Sequence, residues 1–145
     1  MKISAGYVVV KGGKVLLGRP HGEKERWSIF KGNQDHGEHI IDTAARELKE
    51  ESGIDITTLD LTVDQYSKLI HIYNLKKLDK QVYVYLLELG EGDLKGFKFK
   101  CSSKIEDIDA YEIEDYKWFD MGELEDVLFP SQQGLADKLR KIYKK

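Results

Sequence analysis

The segment that most constrains the fold is residues 32 to 54, which read GNQDHGEHIIDTAARELKEESGI. Within it Ile41, Ala44, Ala45 and Leu48 recur at helical offsets i, i+3, i+4 and i+7. Gly53 then follows as the expected C-cap with Ile54 behind it, so the pattern predicts an α-helix over residues 40 to 52. Glu47, Glu50 and Glu51 fall at i, i+3 and i+4 of that helix, which brings their carboxylates out on one face within a turn of each other. Like charges at this spacing oppose helix formation by about a few tenths of a kcal/mol per pair even when exposed. A helix gains from such a face once cations neutralise it. Hard divalent ions, Mg²⁺ before Mn²⁺, are the natural counter-charge, because they bind through one or two carboxylates together with substrate phosphates. A solvated charged surface is the bland account of an isolated glutamate cluster, and Arg46, four residues before Glu50, fits that account as well.

The spacing around the cluster argues against the bland account. Gly32, Glu38, Arg46-Glu47-Leu48, Glu50-Glu51, Gly53 and Ile54 match the Nudix box at every specified position. Nine such positions coincide by chance in about one in a billion windows or fewer, taking average amino-acid usage. The sequence therefore resembles the Nudix hydrolase family, whose members share an α/β/α sandwich with a mixed β-sheet and hydrolyse nucleoside diphosphates linked to another moiety. The likeness extends outward from the box. Val15 to Arg19 looks like the family's second strand, and Trp27 to Gly32 like its lead-in. Asp115 to Phe119, followed by Met121 to Leu128, looks like the late strand and helix that close the fold.

The resemblance implies roles residue by residue. Glu47, Glu50 and Glu51 would ligate Mg²⁺ or Mn²⁺, and Glu47 would also be the base that deprotonates water. Arg46 would orient Glu47, and Gly32 would permit the sharp loop entering the box. Gly37 would contribute a backbone carbonyl near the metal. Glu38 would sit at the rim, assisting the metals or ordering the loop. Many members supply a further acidic ligand from outside the box; Glu106, Asp107, Asp109, Glu112 and Glu114 all qualify, and spacing does not select among them. Lys31, directly before Gly32, and Arg19 are candidate phosphate-binding cations, with His21 and Lys24 in the loop entering the same edge. One departure stands out: many relatives carry proline where this chain has Phe30.

The remaining chain reads as strands over residues 3 to 10 and 14 to 20, a short strand at 27 to 30, and long strands at 61 to 73 and 81 to 89 joined by a turn around 77 to 80. A loop at 90 to 96, a short strand at 97 to 101, an acidic irregular stretch at 104 to 116 and a last strand at 116 to 119 follow. Helices at 122 to 128 and 131 to 143 end the chain. Strands, a helix, more strands, then helices predict a mixed sheet covered on both faces. At 145 residues and 41% hydrophobic composition this is one domain spanning residues 1 to 145. Tyr7, Trp27, Tyr83 and Tyr85, at alternating strand positions, read as core rather than as base-stacking platforms.

A net charge of -3, from 23 basic and 26 acidic residues, gives no global basic field for nucleic acid or anionic lipid, and no apolar run is long enough for a membrane span. The lone Cys101 cannot form an internal disulfide, which suits the cytoplasm. The expected function is metal-dependent hydrolysis of a phosphoanhydride bond in a nucleoside polyphosphate, with a dinucleoside polyphosphate or nucleotide-sugar type compound ahead of a simple triphosphate. One rival is pyrophosphate removal from a capped or triphosphorylated RNA 5′ end, against which the acidic balance argues. Another is a catalytically silent nucleotide-sensing module, against which the intact set Arg46, Glu47, Glu50 and Glu51 argues. None of these features sets an oligomeric state.

Overall fold

The computed structural model describes residues 1–144; Lys145, the last residue of the expected domain, lies outside them. Its frame is a six-stranded mixed sheet centred on β1 (Lys2–Lys11). Tyr7 to Val10 are buried in succession, the pattern of a strand covered on both faces. β5 (Lys80–Leu89) runs parallel to β1 along one edge, from Lys2 beside Lys80 to Lys11 beside Leu89, and β4 (Lys68–Leu75) pairs antiparallel outside it.

The other edge of β1 is divided. Its first half pairs with β3 (Phe30–Asn33), from Ser4 opposite Asn33 to Tyr7 opposite Phe30. Its second half pairs with β2 (Lys14–Pro20), which carries β6 (Ile113–Asp120) on its far side. The tight β1–β2 hairpin uses left-handed backbone at both Gly12 and Gly13, φ 58° and 76°, which glycine adopts without steric cost.

Two hydrophobic layers complete the expected α/β/α sandwich. On one face α1 (Ile40–Ser52) lays Ala44 and Leu48 against Tyr7, Val9, Leu16, Phe30 and Leu87. On the other, α2 (Leu124–Val127) and α3 (Gln133–Ile142) bring Leu124, Leu135 and Leu139 against Val8, Val10, Val15, Val82 and Val84. The alternation along β5 is as expected, with Val82, Val84 and Leu86 on the α3 side and Tyr83, Tyr85 and Leu87 on the α1 side. Among the described residues no helix is long and apolar enough to cross a membrane.

Several boundaries differ from expectation for identifiable reasons. Residues 61 to 73 do not form one strand: Val63–Gln65 is a 3₁₀ turn closed by reciprocal Thr62 and Gln65 capping, and β4 begins only at Lys68. The third strand is shifted to Phe30–Asn33, because the Ser28 amide and carbonyl are taken by Gly18 in an isolated bridge. Residues 97 to 101 form no strand, and the Lys100 amide is spent on the end of α1. β6 starts at Ile113, earlier than expected, where a bulge lets Pro20 pair with it.

Candidate active site

The buried side of α1 is not the purely apolar stripe expected from periodicity. Ala44 and Leu48 are buried, but so are Thr43, Glu47, Glu51 and Ser52. Glu47 is only 8% exposed and Glu51 only 5%. Removing a carboxylate from water without a full set of partners costs on the order of several kcal/mol, so two side by side mark a site rather than a surface. Burial, then repulsion from Glu50, holds the Glu47 carboxyl above the usual range. Burial, then Glu47 and Glu112, holds Glu51 well above it.

β3 supplies the floor. The Glu47 carboxylate lies against Gly32 so closely that a Cβ there would stand 2.1 Å from its Cδ. Gly32 was expected to permit a sharp loop; it sits instead inside β3, outside the left-handed region, and is needed because it has no side chain. The next amide, Lys31 N–H, donates to Glu51 Oε1 at 3.1 Å. Phe30 is fully buried, its ring 6.0 Å from that of Tyr116 and tight against Gly18.

Arg46 gathers the other acids. Its Nη1 donates to Glu47 Oε1 at 3.0 Å and to Glu50 Oε1 at 3.1 Å, its Nε to Glu38 Oε2 at 2.8 Å, and its Nη2 to the Asn33 carbonyl at 2.8 Å. Glu38 also accepts from Thr43 Oγ1 at 2.6 Å and from the Asp35 amide at 3.0 Å. The Arg46 hydrogen bond leads the causes that lower the Glu38 carboxyl to about 2. Of its two expected roles, these contacts favour ordering the loop. Gly37 occupies an exposed turn at φ 78° and is not among the residues lining the cavity described next.

A cavity of about 510 Å³ opens where the starts of β1, β5 and β6 meet the ends of β2 and β3. Glu47, Glu51 and Arg46 line it, together with Lys31, Lys80, His21 and Glu112. Glu50 is not among the lining residues; its carboxylate accepts from Arg46 Nη1 at 3.1 Å. Among the outside acids the structure selects Glu112: it faces the cavity, and its charge adds to the upward shift of both Glu47 and Glu51. Glu114 is engaged instead by His21 Nδ1 at 2.9 Å and by Arg19. Glu106, Asp107 and Asp109 are exposed outside the cavity. Arg19 does not line the cavity: it donates to the Glu23 carbonyl at 2.8 Å and pairs with Glu114. Lys24 is exposed and likewise off the cavity.

Lys80 was missed because the sequence placed it in a turn. The parallel β1–β5 register brings it beside Lys2, and burial, then Lys31, then Lys2, lower its amine below the ordinary range. The signal was present in the alternating strand that begins at Gln81, but only pairing with β1 reveals which wall it joins.

Among the described residues no three carboxylate, imidazole or thiol groups form a ready-made metal cage. The donor set still fits a hard divalent ion. Glu47 and Glu51 offer carboxylate oxygens and are buried together with Glu112 nearby, and among the described residues one salt bridge, Arg46 to Glu47, reaches them.

The NUDIX domain model matches residues 2–143. Comparison with curated proteins gives no match. Among solved structures, the chain is similar to a C. elegans Ap4A hydrolase, at 23% identity and TM-score 0.71 over 98% of this chain and 97% of that one. It is also similar to a MutT NUDIX hydrolase from Burkholderia pseudomallei, at 19% identity and TM-score 0.68 over 95% and 97%. A third is a bifunctional NMN adenylyltransferase/ADP ribose pyrophosphatase from Francisella tularensis, at 17% identity and TM-score 0.68 over 97% of this chain and 41% of that one. These three are likenesses of fold. With the domain model spanning nearly the whole chain and the box complete on α1, the protein belongs to the Nudix family of phosphoanhydride hydrolases.

Proposed function

We propose that the protein is a divalent-metal-dependent pyrophosphohydrolase that prefers a dinucleoside polyphosphate. The observation that carries this reading is the pairing, in one cavity, of an acidic group, Glu47, Glu51 and Glu112, with a basic group, Lys31 and Lys80. A short diphosphate needs only the first group with its metal. A longer phosphate chain needs cations beyond it, and the second group supplies them. That one protein of this fold is named an Ap4A hydrolase agrees with the reading.

Glu47, Glu51 and Glu112 are the residues that would hold Mg²⁺, or Mn²⁺ in its place, with Glu50 as a further ligand on the same helix face. The ion when bound supplies an acidified water and charge neutralisation on the phosphates. Glu47 takes the proton from the attacking water, held in place through its bond to Arg46. Glu38 keeps Arg46 and the loop before α1 fixed. Lys31 and Lys80 hold the distal phosphates. We place the enzyme in the cytoplasm, where the buried thiol of Cys101 stays reduced.

A panel of a dinucleoside tetraphosphate, ATP, ADP-ribose and 5′-triphosphorylated RNA, each with Mg²⁺ and with EDTA, tests the assignment. The expected result is the highest kcat/KM for the dinucleoside tetraphosphate and loss of all turnover in EDTA. Full activity in EDTA overturns the metal requirement, and ADP-ribose or RNA as the best substrate overturns the substrate class.

A further inference from the structure

The C-terminal end of α1 is held by more than its own cap. Gly53 N–H closes the helix on Lys49 O at 2.9 Å, and the next carbonyls bond outside the helix. Glu50 O accepts from Ser102 N–H at 2.7 Å and from Ser102 Oγ at 3.2 Å, and Ser52 O accepts from Lys100 N–H at 3.1 Å. Glu51 O accepts from the hydroxyl of Tyr116. The last carbonyls of a helix ordinarily go to water or to a local cap. Here they are taken by the segment before β6 and by β6 itself.

Tyr116 stands inside β6 opposite Gly18 of β2, so its backbone is locked into the sheet. Its ring lies between Phe30, at 6.0 Å, and Phe99, at 5.4 Å. The bond therefore ties a rigid strand to the backbone of Glu51, whose side chain faces the cavity. Because Glu47, Glu50 and Glu51 share the last turns of one helix, a shift or rotation there moves all three carboxylates together. Sites of this kind work within tolerances of about 0.5 Å.

We propose that Tyr116 is a positioning residue: its hydroxyl, acting with the Ser102 amide, fixes the last turn of α1 and so the relative placement of Glu47, Glu50 and Glu51. This rests on the reading of those glutamates as metal ligands. Tyr116 itself touches neither metal nor substrate and works only through the helix backbone.

Tyr116→Phe keeps the ring and deletes the hydroxyl, whereas Phe99→Leu loosens the same aromatic packing and keeps the hydroxyl. Each is compared with the unaltered chain by Mn²⁺ titration in the absence of substrate, reading free Mn²⁺ by electron paramagnetic resonance, with thermal unfolding and steady-state kinetics alongside. Tyr116→Phe is expected to weaken Mn²⁺ binding about tenfold and to lower kcat by a similar factor, with KM within about twofold. Phe99→Leu is expected to lower the thermal midpoint at least as much while Mn²⁺ affinity stays within about twofold. Unaltered Mn²⁺ affinity and turnover in Tyr116→Phe overturn the proposal. So does an equal loss of Mn²⁺ affinity in Phe99→Leu, which would make the effect one of general packing. Absence of Mn²⁺ binding by the unaltered chain is a different failure, since it removes the metal reading itself and the positioning role with it.

Discussion

Glu47 combines burial, repulsion from Glu50 and a 3.0 Å bond to Arg46, the environment of a carboxylate poised to accept a proton. Glu47→Gln is expected to lower kcat by roughly 10² to 10⁴ while KM stays within a few-fold, as for loss of a base acting in the transition state. A parallel collapse of substrate binding in steady-state kinetics would leave Glu47 as a ligand only. Gly32→Ala drives a Cβ into the Glu47 carboxylate and is expected to reduce turnover about hundredfold by displacing it; wild-type kinetics in that variant would show that the close contact does not matter. Lys31→Ala and Lys80→Ala are expected to weaken kcat/KM for a dinucleoside tetraphosphate by about 1 to 3 kcal/mol, with a smaller loss for ADP-ribose. Equal losses for both substrates would remove the long-chain reading. The glutamate triad was legible because i, i+3, i+4 is a local rule that needs no tertiary knowledge. Lys80 was not, and Glu112 was only one of five open candidates, because closure of the sheet, rather than any local spacing, carries them to the cavity. Arg19, near in sequence to the expected site, pairs with Glu114 across the β2–β6 pair and is not among the residues lining the cavity.

At the level of elements, α1 was legible in both position and cap, and Gly53 at φ 82° closes it as expected. Its buried face was legible only in Ala44 and Leu48: the apolar pattern also counts Ile41 and Ala45, which are half-buried, and gives no weight to Glu47 and Glu51, which are buried. The long strand expected over residues 61 to 73 failed because Thr62 and Gln65 bond each other's backbone, a choice that hydrophobic alternation does not register. The loop from Asn33 to His39 is held largely by the Glu38 carboxylate, and this has a testable pH dependence. The Glu38 carboxyl is lowered from 4.5 to about 2 in the folded chain, so its contribution is fully present above about pH 4.5 and is lost as pH falls toward 2. The stability difference between the unaltered chain and Glu38→Gln, from denaturant unfolding, is expected to be constant from neutral pH to near 5 and to shrink below that. A difference that stays level down to pH 2.5 would show that charge is not what Glu38 contributes.

For the whole molecule, the α/β/α order was legible from the succession of elements, while the divided edge of β1 was not, because one strand serving two partners leaves no periodic trace. The same architecture is expected to make folding stability depend on metal. Glu47, Glu51 and Glu112 repel one another in the folded chain and separate in the unfolded one. Mg²⁺ or Mn²⁺ is therefore expected to raise the thermal midpoint, by the equivalent of about 2.7 kcal/mol at a hundred times its dissociation constant, and EDTA to reverse the shift. A midpoint indifferent to both would count against a metal held by the folded state. The divided edge also orders the making of the protein. A chain synthesised from its N-terminus has both partners for one side of β1 once Asn33 is complete, but the partner for the other side, β5, is finished only at Leu89. Throughout that interval the central strand of the future core offers a ten-residue open edge, apolar on both faces, which is a template for any neighbouring strand. The strand that ends at the centre of the sheet thus waits with one edge open while residues 34 to 89 are made.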